Sequence, residues 1–101
     1  MSVYLHAQLR IVPGRMRPML ALLKDELIPI MERQGWKLIG CFTNISGARN
    51  AILDIWELAD LDHFRRGYQG FMAEAEFPEI KDRIDQYVEE EILTFLDRAF
   101  P

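Results

Sequence analysis

Apolar and polar residues alternate strictly at the start of the chain, which is the pattern of a β-strand with two different faces. One face carries the apolar set Val3, Leu5, Ala7, Leu9 and Ile11. The other carries Tyr4, His6, Gln8 and Arg10. Because these four side chains suit hydrogen bonding, proton transfer and aromatic contact better than ordinary solvation, we expect a candidate site on their face.

A helix is predicted after the turn signal Pro13-Gly14, because apolar residues then recur at steps of three and four. Its apolar stripe consists of Met16, Met19, Leu20, Leu23, Leu27, Ile30 and Met31. Pro29 cannot donate a hydrogen bond to the carbonyl of Asp25, so we expect the helix to kink there. Gly35 closes it.

The rest of the chain predicts a hairpin, two helical segments and a last strand. The hairpin strands cover residues 36–45 and 51–57, with the loop at 46–50. A helix begins near Asp60 or Asp62, either of which can cap it. Gly67 and Gly70 within it either make the helix a mobile wall of a site or let another group approach its backbone closely. Pro78 begins a short helix before a strand at about 88–95.

The order βαββαβ predicts an α+β fold, a ferredoxin-like antiparallel sheet with helices on one face, as a single domain over residues 1–101. In this topology the first and third strands are neighbours in the middle. We expect Leu5, Ala7, Leu53 and Ile55 to face the helices. The open face would then hold Tyr4, His6, Gln8, Asp54 and Trp56. Such a face is too apolar for a monomer, so we expect a two-fold homodimer.

Composition narrows the class of protein. Half of the 101 residues are hydrophobic and 28% are charged, as in a folded domain. A net charge of -4, with no basic cluster larger than Arg65-Arg66, argues against nucleic acid as a partner. A single cysteine, Cys41, excludes an internal disulfide. No apolar run reaches the roughly 20 residues of a membrane span, and no signal-peptide pattern opens the chain, so we expect no membrane association and a cytoplasmic location.

His6 and Asp54 are the candidate catalytic pair. An imidazole can act as a general base near neutral pH, and a carboxylate on the neighbouring strand could orient it and stabilise its charged form. The alternatives are structural: His6 hydrogen-bonded across a dimer seam, and Asp54 paired with Arg10 or with a residue of the partner chain.

Several other residues are candidates for binding a substrate. Trp36, Phe42, Trp56 and Tyr68 suit an aromatic or polyketide-like molecule, although core packing also explains the Trp and Phe residues. Polar groups for a carbonyl or phenol are supplied by Tyr4, Gln8 and Asn44. Cys41 is interpreted as a small core residue, and Glu89-Glu90-Glu91 as protection of an edge strand.

No cofactor is expected, because the chain lacks a glycine-rich phosphate loop and the ligand spacing of a metal site. If haem were bound, His63 would be the alternative axial ligand to His6.

Turn and packing residues resemble those of the NIPSNAP-like proteins, within the dimeric α+β barrel superfamily. The shared pattern is Pro13-Gly14, Gly35-x-x-Leu38-x-Gly40, Gly47-x-x-Asn50 and Trp56 followed by Asp60-Leu61. Where that family opens with Glu-Leu-Arg, this chain has Leu5-His6-Ala7. Asp54-x-Trp56 resembles the carboxylate-x-Trp pattern of the related antibiotic-biosynthesis monooxygenases, with Asp in place of Glu.

The resemblance implies that two sheets pair face to face in a dimeric barrel. It does not imply a particular reaction, because proteins of one fold carry out different reactions. Two chemistries fit the candidate residues: cofactor-independent oxygenation, and base-catalysed cyclisation or isomerisation. Both use His6 as the base and Asp54 as its partner. A dimeric module that binds a ligand, or acts as a scaffold without catalysis, is the alternative.

Overall fold

Four β-strands form one antiparallel sheet in a computed structural model that describes residues 2–101. They are β1 (Val3–Ile11), β2 (Lys37–Thr43), β3 (Ala51–Leu58) and β4 (Val88–Leu96). Their order across the sheet is β2-β3-β1-β4, so β1 and β3 lie in the middle. The predicted α+β, ferredoxin-like topology is confirmed.

The helices are α1 (Met16–Leu22), α2 (Ile28–Arg33), α3 (Leu61–Met72) and α4 (Phe77–Tyr87), and a π-helical segment (Leu23–Leu27) joins α1 to α2. At the end of that segment the Ile28 N–H bonds to the carbonyl of Leu23, five residues back. Pro29 has no N–H for an α-helical bond to Asp25, so the predicted interruption takes the form of a π-helical turn. None of these helices is long and apolar enough to cross a membrane.

The helices cover one face of the sheet, and the core lies between the two layers. Side chains of β1 and β3 meet those of the helices there. The most deeply buried are Leu5, Ile11, Met19, Ile52, Leu58 and Ile80. A bidentate ion pair between Arg83 and Glu26, with N–O distances of 2.7 and 2.8 Å, ties α4 to the π-helical segment.

The start of α3 is fixed by its cap and by a tryptophan. The Asp60 carboxylate accepts a hydrogen bond from the His63 N–H at 2.8 Å, which confirms the first of the two predicted caps. The Trp36 indole Nε1 donates to the His63 carbonyl at 3.2 Å and lies directly against Gly67. A Cβ at Gly67 would overlap this indole, so here the glycine admits a close neighbour.

The predicted faces of β3 are wrong. Directly opposed residues of an antiparallel pair share a face, and Ala7 lies opposite Asp54, as Leu5 lies opposite Trp56. Asp54 and Trp56 therefore face the helices, whereas Leu53 and Ile55, predicted to face them, are half-buried on the other side. His6, opposite Ile55, lies on the face away from Asp54.

The face without helices, called here the open face, has apolar and polar residues side by side. One row across the four strands consists of Phe42, Leu53, Gln8 and Ile92. Phe42 is 52% exposed and Ile92 46% exposed. Nothing in residues 2–101 covers this face.

Candidate functional site

An inner cavity of about 100 Å³ lies between the sheet and the helices. β1 and β3 supply its floor through Leu5, Leu9 and Trp56, and the helices supply its walls. Leu23 and Leu27, at the two ends of the π-helical segment, line the same space. The lining is mostly apolar, so a polar group inside it lacks the solvation of bulk water.

Asp54 is the buried polar group of this cavity, with only 5% of its surface exposed. Its Oδ2 accepts a hydrogen bond from the Trp56 Nε1 at 2.6 Å, and its Oδ1 has no partner within residues 2–101. The pKa of the Asp54 carboxyl is raised from 3.8 to about 6. Burial is the main cause; the Trp56 hydrogen bond opposes it, and the charge of Glu91 adds to it. A group with such a pKa can exchange a proton near neutral pH.

Aromatic rings form one wall of the inner cavity. The Trp36 ring meets the Trp56 ring edge to face at 5.6 Å and stacks on Phe64 at 5.6 Å. Phe64 in turn contacts Tyr68 at 5.3 Å and the Phe95 ring of β4 at 5.2 Å. These contacts hold the rings in place, so the wall is preformed rather than assembled around a ligand.

An outer cavity of about 340 Å³ lies beside the inner one, between α3, α4 and β4. The two cavities share five lining residues, called here the neck, which are Tyr68, Phe71, Ile84, Val88 and Glu91. Burial raises the pKa of the Tyr68 hydroxyl, and the Glu91 carboxylate raises it further, so the hydroxyl stays protonated. Burial also raises the pKa of Glu91 itself, against the opposing charge of Lys81.

Four of the sequence-predicted site residues meet at the inner cavity: Asp54, Trp36, Trp56 and Tyr68. The other five lie elsewhere: Tyr4, His6, Gln8, Phe42 and Asn44. The Tyr4 hydroxyl accepts a hydrogen bond from Arg98 at 2.6 Å, and Asn44 donates to the Ala48 carbonyl at 2.7 Å within the hairpin loop. The expected contact between His6 and Asp54 is absent because the two side chains point to opposite faces.

His63 is the enclosed histidine of the chain, 8% exposed, although the sequence indicated His6. Its Nδ1 accepts a hydrogen bond from the Ala59 N–H at 3.0 Å, so Nε2 carries the proton and donates to the Gln34 carbonyl at 2.8 Å. Both ring nitrogens are thus engaged by the backbone. His63 therefore has no free ring nitrogen with which to coordinate a haem iron, so it does not fit the role of an axial ligand.

Glu91, Phe64 and Phe71 are among the lining residues that the sequence did not assign to a site. The sequence does contain a signal for Glu91. Leu93 and Phe95 follow it at intervals of two along β4, so all three side chains lie on the face of the sheet that meets the helices. Cys41, opposite Asp54 on β2, is half-buried against the core as predicted, and burial raises its pKa. Within residues 2–101 no three His, Cys, Asp or Glu side chains cluster as metal ligands would.

Comparison with known proteins gives one family. Residues 4–97 match the NIPSNAP family, over most of the chain. A solved uncharacterized NIPSNAP domain protein from Burkholderia xenovorans is 27% identical, with a TM-score of 0.82, covering 98% of this chain and 95% of that one. No curated protein matches.

Two further solved structures show the same fold at lower identity. A NIPSNAP family protein from Agrobacterium tumefaciens is 21% identical with a TM-score of 0.89, covering 98% of this chain and 94% of its own. A second protein of that organism, described as a NIPSNAP family protein with unknown function, is 23% identical with a TM-score of 0.86, covering 97% and 88%.

Proposed function

The chain belongs to the NIPSNAP family, and from that premise we propose that it is a homodimeric enzyme in which Asp54 accepts a proton from a compact substrate. The substrate lies in the inner cavity, and the reaction is a base-catalysed isomerisation or cyclisation of an aromatic or polyketide-like molecule. The observation that carries this proposal is the Asp54 carboxyl, buried in an apolar cavity with its Oδ1 unpartnered.

The chemistry follows from what surrounds this carboxylate. Oδ1 takes a proton from a carbon next to a carbonyl, and the electron pair of that C–H bond moves to the carbonyl oxygen to give an enolate. The protonated Tyr68 hydroxyl at the neck is a hydrogen-bond donor for this oxygen. Return of the proton from Asp54 to another carbon of the enolate completes an isomerisation. In a cyclisation the enolate carbon instead bonds to a second carbonyl carbon of the same molecule, and the oxygen of that carbonyl takes the proton back from Asp54 as a hydroxyl group.

The test is the exchange of carbon-bound hydrogen in a small ketone, with cyclopentanone in D₂O as the probe, followed by NMR. We expect the protein to accelerate exchange next to the carbonyl, and Asp54→Asn to lower that rate by about 100-fold or more. Asp97→Asn, an exposed aspartate, is the matched control and should exchange like the native protein. Equal rates in Asp54→Asn and the native protein would refute the role of Asp54.

Cofactor-independent oxygenation begins with the same proton removal, followed by reaction of the enolate with O₂. The exchange experiment is therefore paired with an oxygen electrode. Uptake of O₂ that disappears in Asp54→Asn would favour oxygenation over isomerisation or cyclisation.

A dimeric module without catalysis, which binds a small ligand or acts as a scaffold, is the second candidate. The observation that favours it is the inner cavity of about 100 Å³, which is smaller than the roughly 300 Å³ at which sites for larger substrates usually begin. Binding of cyclopentanone with no faster exchange than in buffer would favour this candidate. A catalytic role for His6 stays a prediction, now without Asp54 as its partner.

We propose the homodimer because the apolar residues of the open face are exposed to solvent in a single chain. A second copy related by a two-fold axis would bury them against the same residues of its own open face. We expect a buried interface on the order of 1,600 Å² or more. Leu53→Lys should produce monomers in sedimentation, whereas Ile45→Lys, at an exposed loop position, should not. A native protein that sediments as a monomer at micromolar concentration would contradict this assembly.

A further inference from the structure

The charged side chains that line the inner cavity within residues 2–101 are both carboxyls, Asp54 and Glu91. The outer cavity adds further acids and one base, Lys81. The Lys81 ammonium is held by both carboxylate oxygens of Asp85, at 2.6 and 2.8 Å. The charged groups that line the two cavities are therefore mainly carboxylates, and the one positive charge among them is already paired.

Glu91 is the charged residue that the linings of the two cavities share. It extends from β4 on the helix side of the sheet, opposite Leu9, and lines both the inner and the outer cavity. No hydrogen bond or ion pair engages its carboxylate within residues 2–101. Glu91 is exposed to solvent, and a carboxylate without a protein partner is free to bind a cation that a ligand brings.

Aromatic rings lie beside this carboxylate. The neck residues Tyr68 and Phe71 meet edge to face with ring centroids 6.0 Å apart, and Phe71 meets Phe77 at 4.9 Å. The face of an aromatic ring attracts an ammonium group, and a carboxylate beside it adds a charge-assisted hydrogen bond. Rings and a carboxylate together are the chemistry that recognises organic cations.

We propose that Glu91 and the rings of the neck form a subsite for a protonated amine, carried by a ligand whose apolar part enters the inner cavity toward Asp54. The inference deepens the proposed function, since it takes the same cavity as the ligand site and adds the charge of the ligand. It also excludes anionic ligands, such as carboxylates and phosphates, because each would approach the carboxyls of Asp54 and Glu91 with no unpaired positive charge nearby to offset the repulsion.

The test uses three probes of one shape that differ in charge: n-butylammonium, n-butanol and butyrate. Their dissociation constants are measured by NMR titration of the full chain at pH 7.5 and low salt. We expect n-butylammonium to bind about fivefold more tightly than n-butanol, which corresponds to about 1 kcal/mol. Butyrate should bind more weakly than n-butanol.

Glu91→Gln keeps the shape of the side chain and removes its charge. In this variant n-butylammonium should lose its advantage over n-butanol, to within about twofold, while n-butanol binds as before. Glu32→Gln is the matched control, because Glu32 is exposed and lines neither cavity, and the fivefold preference should persist there.

The subsite is overturned by any of three results: no probe binds the native protein, n-butylammonium has no advantage over n-butanol, or the advantage persists in Glu91→Gln. Failure of the proposed function is recognised separately, because its assay uses an uncharged ketone and the variant Asp54→Asn. An amine preference that depends on Glu91, with ketone exchange that does not depend on Asp54, would keep the subsite and remove the catalytic role.

Discussion

Replacing Asp54 by asparagine removes one ionisable group from beneath the helices and hardly changes the shape of the side chain. The asparagine carbonyl can still accept the hydrogen bond from the Trp56 Nε1, so the contact within β3 is kept. The new amide group takes the place of the unpartnered Oδ1 in the inner cavity. That exchange of an acceptor for a donor changes stability by an amount that does not depend on pH, whereas loss of the carboxyl changes how stability depends on pH.

The pH-dependent part can be calculated from the raised pKa. Because the pKa of Asp54 is higher in the folded chain (about 6) than its ordinary 3.8, the folded state binds this proton more tightly than the unfolded state does. The stabilisation is fully present below pH 3.8 and is lost as the pH rises through 6. A difference of about two pKa units corresponds to about 3 kcal/mol, of which about 2 kcal/mol falls between pH 4.5 and pH 8.

Urea unfolding at fixed protein concentration, at several values of pH from 4.5 to 8, measures this directly. We expect the free energy of unfolding of the native protein to fall, relative to that of Asp54→Asn, by about 2 kcal/mol over the range. The difference between the two proteins is the informative quantity, because groups that do not interact with Asp54 titrate alike in both and cancel. Asp97→Asn, which alters an exposed carboxyl, should run parallel to the native protein.

A difference between the native protein and Asp54→Asn that stays constant from pH 4.5 to 8 would refute the reasoning. The Asp54 carboxyl would then titrate alike in the folded and unfolded chain, and its burial would have no electrostatic consequence. A difference that grows in the opposite direction would mean that a cation has joined the carboxylate.

Three further predictions concern residues that hold the site in place. Gly67→Ala should destabilise the fold by about 1–3 kcal/mol in urea titrations, because its Cβ overlaps the buried indole of Trp36, whereas Gly70→Ala meets only a flexible glutamine side chain and should be neutral or stabilising. His63→Ala should cost about 1–3 kcal/mol, and ¹⁵N NMR of the native ring should show the proton on Nε2; a proton on Nδ1 would contradict the assigned hydrogen bonds. Arg83→Met, which breaks the bidentate ion pair to the π-helical segment, should cost about 1 kcal/mol at low salt and less at high salt; equal loss at both would contradict an electrostatic cause.

The elements and their order could be predicted because each has a local cause in the sequence. Strict alternation marks β1 over Val3–Ile11, which the structure reproduces residue for residue. Asp60 marks the start of α3, and Pro29 marks the break in the first helical region. From four strands and two helical regions in this order, the central position of β1 and β3 follows by topology alone.

The orientation of β3 has no such local cause. Ile52, Trp56 and Leu58 make one of its faces apolar, while Leu53 and Ile55 make the other apolar as well. A pattern of period two chooses a face only when the two faces differ in polarity. The register against β1 decides it instead, and register is a long-range property of the folded sheet.

Asp54 and Trp56 could nevertheless be placed together from the sequence, since residues two apart on a strand share a face whichever way the strand is turned. The reversal of β3 moved both residues, as a pair, from the open face to the inside of the protomer, and it separated them from His6. The inner cavity and the neck are consequently built from one chain, whereas the open face is the part that a second copy would cover. The proposed pairing of two protomers and the proposed chemistry at Asp54 therefore depend on different parts of the fold and can be tested separately.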